Sequence, residues 1–282
     1  MNNIKIICDS LSDVNKEYLE KYDIEVVPLT VILDDKEYRD SIDITPEEFY
    51  KMLRKEDAYP KTSQATYAQF KQVFDRYTEE GKTILYIAGS SAATGTCQSA
   101  IMAKNDTEGE IYIYDSYNLT FGAGFFVIRA AELIKEGKTI EEVFIELDKI
   151  KENYVMMFSV DTLEYLKKGG RISSTKAAVG SILNIKPILE VKDGLVSQVG
   201  QVRGKKNVVN KMMEAIKDRL GDDIDNSQVY VGYSDDEKEK EKITQAAKEM
   251  FNPDKIGYFM IGTCVGAHSG PGVSGILCFK NK

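Results

Sequence analysis

Thr83-Ile84-Leu85-Tyr86-Ile87-Ala88-Gly89-Ser90-Ser91-Ala92-Ala93-Thr94-Gly95-Thr96 decides how this chain is read. Residues 83–88 read as a strand. A loop of small and hydroxyl-bearing residues follows, and Thr94 or Gly95 opens a helix that runs through Met102. The same order recurs on either side. The buried apolar run 4–8 ends in Asp9-Ser10, and the strand 111–114 ends in Asp115-Ser116. Helical stretches over 14–22, 121–134 and 140–150, and one after Thr66 with Phe70, Val73, Phe74 and Tyr77 as its apolar stripe, alternate with these strands. Strand and helix alternating at short spacing predict a mostly parallel sheet covered by helices. Residues 26–33 read as one more strand, and Pro28 inside it favours an edge. Thr45-Pro46-Glu47-Glu48 has the cap, proline and acidic first turn of a helix start. Ligands of such sheets bind beyond the carboxyl ends of the strands, where the hydroxyl loops gather.

The second half differs. Strand 155–160, short helix 162–167, a hairpin 187–199 turning at Asp193-Gly194, a helix from Lys206, strand 229–233, helix 239–250 and strands 257–261 and 275–279 predict an α+β unit. Its sheet is expected to be antiparallel with helices on one face. The division expected is an N-terminal α/β domain over 1–155 and a C-terminal α+β domain over 156–282.

Composition narrows function. The 282 residues are 43% hydrophobic and 29% charged with a net charge of −8, which suits a soluble globular chain and disfavours nucleic acid as partner. Cys8, Cys97, Cys264 and Cys278 form no CxxC pair, and His268 is the single histidine, so neither a disulfide scaffold nor a Cys/His zinc site is expected. The first residues do not read as a signal peptide and no apolar run reaches membrane-spanning length, so a cytoplasmic location is expected. Gly81-Lys82-Thr83 and Gly137-Lys138-Thr139 lack the earlier glycine of a P-loop. Gly270-Pro271-Gly272-Val273-Ser274-Gly275 fits GxGxxG, but it leads into a strand and reads as a tight turn.

Three stretches carry candidate site residues. Lys61-Thr62-Ser63-Gln64-Ala65-Thr66 reads first as helix capping by Thr62, Ser63 or Thr66, and second as a donor cluster for an anion. Ser90 to Thr96, with Ser91 and Thr94 among its hydroxyls, has no lysine or arginine and suits a carboxylate better than a phosphate. Phe121-Gly122-Ala123-Gly124-Phe125-Phe126 is either a fully buried helix or one whose glycines leave room for an apolar ligand. Lys167-Lys168-Gly169-Gly170-Arg171 and Arg203-Gly204-Lys205-Lys206 read as solvated surface or as docking patches.

In order and spacing these motifs resemble the DegV family of bacterial fatty-acid-binding proteins. The resemblance rests on Asp9-Ser10, Val27-Pro28-Leu29, Thr62-Ser63-Gln64, Ser90-Ser91 with Thr94-Gly95-Thr96, and Asp115-Ser116. It continues in Gly169-Gly170-Arg171-Ile172-Ser173, Lys186-Pro187-Ile188, Val202-Arg203 and Gly266-Ala267-His268 with Gly270. It implies two α/β domains with a long-chain fatty acid between them, the carboxylate meeting Thr62 and Thr94, and His268 nearby. It also implies presentation of the acid to a separate fatty-acid kinase in some members, with Arg203 on the docking face. Thr94 and Ala93 replace the family's usual serine and leucine, and Ala65 and Thr66 follow the Thr-Ser-Gln motif, which bears on acyl-chain preference. A sixteen-carbon tail offers roughly 12 kcal/mol of gross burial at ~0.8 kcal/mol per methylene, much of it offset by lost freedom.

The expectation is therefore a carrier, not an enzyme. It has bound fatty acid as ligand and neither cofactor nor metal, and it is not stably inserted in a membrane. Thr62, Thr94, Ser63, Ser91 and His268 are its ligand-binding candidates and Arg203 its partner contact. The alternative is a small-molecule hydrolase or transferase pairing Ser91 or Ser63 with His268; a third reading is an interaction module acting through residues 203–206.

Overall fold

The computed structural model describes residues 3–55, 59–172, 184–221 and 223–281. The first half runs β1 (Ile4–Asp9), α1 (Lys16–Lys21), β2 (Glu25–Val27), β3 (Thr30–Leu33), β4 (Lys36–Arg39), α2 (Pro46–Lys55), β5 (Lys61–Ser63), α3 (Tyr67–Glu79), β6 (Thr83–Ala88), α4 (Thr96–Asn105), β7 (Ile111–Asp115), α5 (Thr120–Lys135) and α6 (Ile140–Glu152). Strands β2-β1-β6-β7 form a four-stranded sheet in that order, and every neighbouring pair is parallel. Alternate residues of its central strands feed opposite cores. Ile6, Cys8, Leu85 and Ile87 pack under α5 and α6, whereas Ile7, Ile84, Tyr86 and Ala88 pack with Phe70 and Phe74 of α3 and Ala100 and Ala103 of α4. Burial on both faces is why these strands read as unbroken apolar runs. Thr66 and Thr139 start α3 and α6 with full capping boxes.

Residues 26–33 are not one strand. The chain breaks at Pro28-Leu29, leaving β2 at the edge of the parallel sheet while β3 enters a separate antiparallel sheet of order β4-β3-β5. Proline has no N–H to give a ladder, and the Leu29 N–H is taken by the Ser10 hydroxyl at 3.0 Å. The expected edge position thus belongs to β2 alone.

The second half runs β8 (Tyr154–Ser159), α7 (Glu164–Gly169), β9 (Ile185–Lys192), β10 (Leu195–Arg203), α8 (Val208–Leu220), β11 (Ile224–Tyr233), α9 (Glu237–Phe251), β12 (Ile256–Met260), α10 (Thr263–Ser269) and β13 (Ser274–Lys280). Its six-stranded sheet has the order β10-β9-β8-β13-β11-β12 and is antiparallel except for the β11·β12 pair. Met212, Ile216, Ile243 and Ala247 of α8 and α9 cover one face. The opposite face meets α5: Phe125 packs on Phe279 and Tyr230 with ring centroids 4.5 and 5.3 Å apart. One helix therefore serves both sheets, and its glycines allow this. A Cβ on Gly124 would run into the Ser12 carbonyl and the Phe259 ring, and one on Gly122 into Asn118 and Met156. The room those glycines leave is filled by protein. The turn before β13 has Gly270 and Gly272 at φ of +73° and +77°, where glycine is favoured. No helix among the described residues is long and apolar enough to cross a membrane.

Candidate functional site

Most polar groups at the ends of the parallel strands hold the loops themselves. Buried Asp9 accepts hydrogen bonds from the amides of Leu11 and Gly89 and from the Tyr86 hydroxyl, at 3.2, 2.9 and 2.6 Å. The Ser90 hydroxyl donates to the Gly194 carbonyl at 2.7 Å and so fastens the tip of the β9–β10 hairpin. Ser91 is exposed, and its amide donates to the Asp115 carboxylate.

A cavity of about 360 Å3 opens beside this edge, within the size range of pockets that enclose small ligands. Leu11, Leu29, Leu119, Phe121, Met156, Phe158, Ile261 and Val273 form much of its apolar wall. Its polar side chains include Thr62, Ser63, Gln64, Thr94, Thr120, Arg171, His268 and Ser269. Strand β5 aims Thr62 by its period of two: Lys61 and Ser63 are exposed while Thr62 is half-buried opposite Val31. The capping role considered for Thr62 and Ser63 thus falls to Thr66 alone. Thr94 sits just before α4. A Cβ on the neighbouring Gly95 would displace the Gln64 carboxamide, which donates to the Ser99 hydroxyl at 2.9 Å.

Both threonine hydroxyls have their acceptor sides occupied by protein. Thr94 Oγ1 lies 2.9 Å from Thr96 Oγ1 and accepts from the Thr96 amide at 3.3 Å. Thr96 Oγ1 also accepts from the Ala65 amide at 3.3 Å, and in the arrangement in which it donates to Thr94 the Thr94 proton is free for the cavity. Thr62 Oγ1 lies 2.7 Å from His268 Nε2. The other imidazole nitrogen, Nδ1, is buried without a hydrogen-bond partner. The Nε2–H tautomer leaves an orphan acceptor there, not the rarer orphan donor. In that tautomer His268 donates to Thr62, and the Thr62 proton is released toward the cavity. Thr62 and Thr94 thus offer two O–H donors to one ligand.

His268 lies near the end of α10, a seven-residue helix absent from the sequence reading. The helix is fixed at its start by buried carboxyls: Thr263 Oγ1 donates to Asp40 at 2.6 Å, and the Gly262 amide faces Asp13. Burial pushes both carboxyls above the ordinary aspartate range. At the other end, Gly169 of α7 lies so close that a Cβ would strike the imidazole. Burial, and then the positive charge of Arg171, pull the His268 pKa down to about 4. The imidazole is therefore neutral at pH 7. The sign follows from that depression, because the unfolded chain takes up the proton first as pH falls. The stability contribution of neutral His268 is whole above about 6.5 and is lost as pH drops through about 4. Across that window the folded state loses about 3 kcal/mol of stability. The raised carboxyls of Asp9, Asp13 and Asp40 act in the opposite direction, so the effect is read as a difference between wild type and His268→Gln. As the single histidine, its imidazole gives one NMR titration, expected near pH 4; a midpoint near 6.5 would contradict the buried geometry.

The structure departs from the sequence reading in other respects. Ser63 lines the cavity but is exposed, Ser91 does not line it, and His268 Nε2 engages Thr62, so the serine–histidine pairing with Ser91 or Ser63 is not formed. Arg203 is exposed at the end of β10, away from the cavity lining. Ser173 lies outside the described residues. Arg171, read as part of a basic surface run, instead lines the cavity. It donates from Nε to the Ala93 carbonyl at 3.2 Å and from Nη1 to the Gly169 carbonyl, tying α7 to the loop before α4. Cys264, also in the wall, has its thiol pushed far above the usual range by burial and is no nucleophile.

A family model described as "Uncharacterised protein, DegV family" matches residues 3–281. The chain belongs to the DegV family. A DegV domain-containing protein of Caldanaerobacter subterraneus is 35% identical over 287 residues, covering 100% of both chains. Among solved DegV structures, one from Thermus thermophilus, described by its fatty acid binding, superposes with a TM-score of 0.90 at 32% identity, covering 99% of this chain and 100% of that one. A stearic acid-binding protein from Eubacterium ventriosum superposes at 0.91 with 29% identity, covering 99% and 98%. The mixed α/β architecture, with one parallel and one largely antiparallel sheet, is thus that of DegV proteins.

Proposed function

We propose that this protein binds one long-chain fatty acid, with the tail along the apolar wall and the carboxylate on Thr62 and Thr94. The reading rests on one observation: two hydroxyls, each beside a protein group that can donate to it, line one cavity whose wall is largely apolar. Donors supplied by neutral groups bind an anion without burying a second charge, whose desolvation offsets much of the Coulomb gain. Arg171 adds a positive charge at the same cavity while hydrogen-bonded to backbone carbonyls. His268 stays neutral and orients the Thr62 proton. Relatives at 32% and 29% identity described as binding fatty acid or stearic acid support the ligand class.

In this reading residues 1–155 and 156–282 act as two domains with the acid between them, working in the cytoplasm. The protein performs no reaction and presents the carboxylate to a fatty-acid kinase, with Arg203 on the contact face. The 2.7 Å Thr62–His268 contact also fits a hydroxyl nucleophile with its base. Against that, no carboxylate orients Nδ1, and an imidazole with a pKa near 4 is a weak base. Titration of delipidated protein with palmitate and with hexadecanol tests the assignment. Two charge-assisted hydrogen bonds predict roughly 10²-fold or greater preference for the acid. Equal affinity, or turnover of a palmitate ester, would overturn it.

A further inference from the structure

A second cavity, of about 520 Å3, shares Met156 and Val191 with the wall of the first. Its lining is basic for a chain of net charge −8: Lys151 of α6, Lys192 of β9 and Arg219 of α8 stand against Glu190 and Asp193. Arg219 is neutralised by buried Glu190 at 2.8 Å, and Asp193 is exposed at the hairpin turn. Lys151 is half-buried, and its ion partner Asp148, 4.0 Å away, is two-thirds exposed. Its ammonium donates to the Asp115 carbonyl at 2.9 Å and lies over the rings of Tyr114 and Tyr117, 4.5 and 5.4 Å from their centroids.

The carboxylates around Lys151 also accept from neutral donors. Asp148 accepts from the Tyr114 hydroxyl at 2.8 Å. The Asp115 carboxylate accepts from the amides of Ser91 and Tyr117. Burial lowers the Lys151 pKa in spite of both acids. A half-buried cation whose ion pair is long and solvent-screened, set beside aromatic and aliphatic surface, suits an anion that also has an apolar body.

We propose that this second cavity binds an amphiphilic oxyanion, a carboxylate or phosphate monoester, with its charge on Lys151 and Lys192 and its body against Tyr117, Val155 and Met156. Neither Lys151 nor Lys192 lines the first cavity, so the charge of this site is separate from that of the first.

NMR titrations with octyl phosphate, octanoate and octanol test it. The expected result is shifts at Tyr117 and Val155, which line only the second cavity, with one or both anions, and octanol binding about tenfold or more weakly, the worth of one charge-assisted contact. The stronger anion identifies the headgroup. Lys151→Gln with Lys192→Gln should weaken binding by at least about tenfold. Thr62→Val with Thr94→Val should leave it unchanged, so failure of the first-cavity reading is distinguishable. Equal octanol affinity, unchanged affinity in the lysine variant, or loss in the threonine variant would each overturn the proposal. Should the lysine double variant not fold, Lys192→Gln at its exposed position carries the test: several-fold weakening supports the site and none overturns it.

Discussion

In protein carrying Thr62→Val and Thr94→Val together, affinity for palmitate is expected to fall by about 10²- to 10⁴-fold, the worth of two charge-assisted hydrogen bonds at ~1.5–3 kcal/mol each. Valine keeps the branched shape of threonine, so the cavity wall changes little while both donors vanish. The substitutions also disturb hydrogen bonds within the protein. Thr62 stands between His268 and the cavity, and without its hydroxyl the Nε2–H loses its acceptor inside the protein. Thr94 likewise accepts from the Thr96 amide and is hydrogen-bonded to the Thr96 hydroxyl. The double variant therefore also leaves protein donors unpaired, which lowers stability by about 1–3 kcal/mol per orphaned group. Isothermal titration of folded, delipidated variant decides the matter. Affinity within about threefold of wild type would remove these hydroxyls from the headgroup site.

The second large effect concerns Phe121→Ala. Phe121 is 1% exposed and sits where α5, the six-stranded sheet and the first cavity meet. Cβ atoms on Gly232 and Gly275 would run into its ring, and the Phe259 ring centroid lies 6.5 Å away. Truncation should lower the stability of delipidated protein by about 3–5 kcal/mol, a fall in Tm on the order of 10 °C. The space released joins the cavity, so the bound acid should shift toward longer or bulkier chains. Ile145→Ala, at a site 56% exposed, is the control and should change stability by no more than about 0.5 kcal/mol. A small Tm change in Phe121→Ala would mean that α5 does not hold the six-stranded sheet as described.

Particular residues explain how far the fold and site could be read in advance. Strands β1, β6 and β7 were legible because both of their faces are buried and the chain alternates strongly with helices. Strands β2 and β3 merged into one expected strand, because local apolarity continues through Pro28 while the hydrogen-bonding partner changes. Helix α10 left no trace because its seven residues, Thr-Cys-Val-Gly-Ala-His-Ser, are too few for an apolar stripe and include a glycine. Its role depends on anchors distant in sequence, Asp13 and Asp40. Thr62, Thr94 and His268 come together at one cavity, but Ser91 does not. Which hydroxyl of a loop turns inward is settled by the backbone, where Asp115 draws the Ser91 amide outward. Arg171 was hidden by its neighbours: Lys167, Lys168 and two glycines look like solvated surface, and only the turn after α7 brings the guanidinium to the Ala93 carbonyl. One signal was available, the Gly169-Gly170 pair, since Gly170 takes φ +67° and Gly169 admits His268 beside it.

Mass spectrometry of the purified full-length protein, intact under native conditions and then after solvent extraction, tests the central claim most directly. The account predicts an adduct at one equivalent per chain that extracts as a long-chain fatty acid and is diminished in the Thr62→Val, Thr94→Val variant. Protein that carries no such mass and takes up no added fatty acid would contradict it.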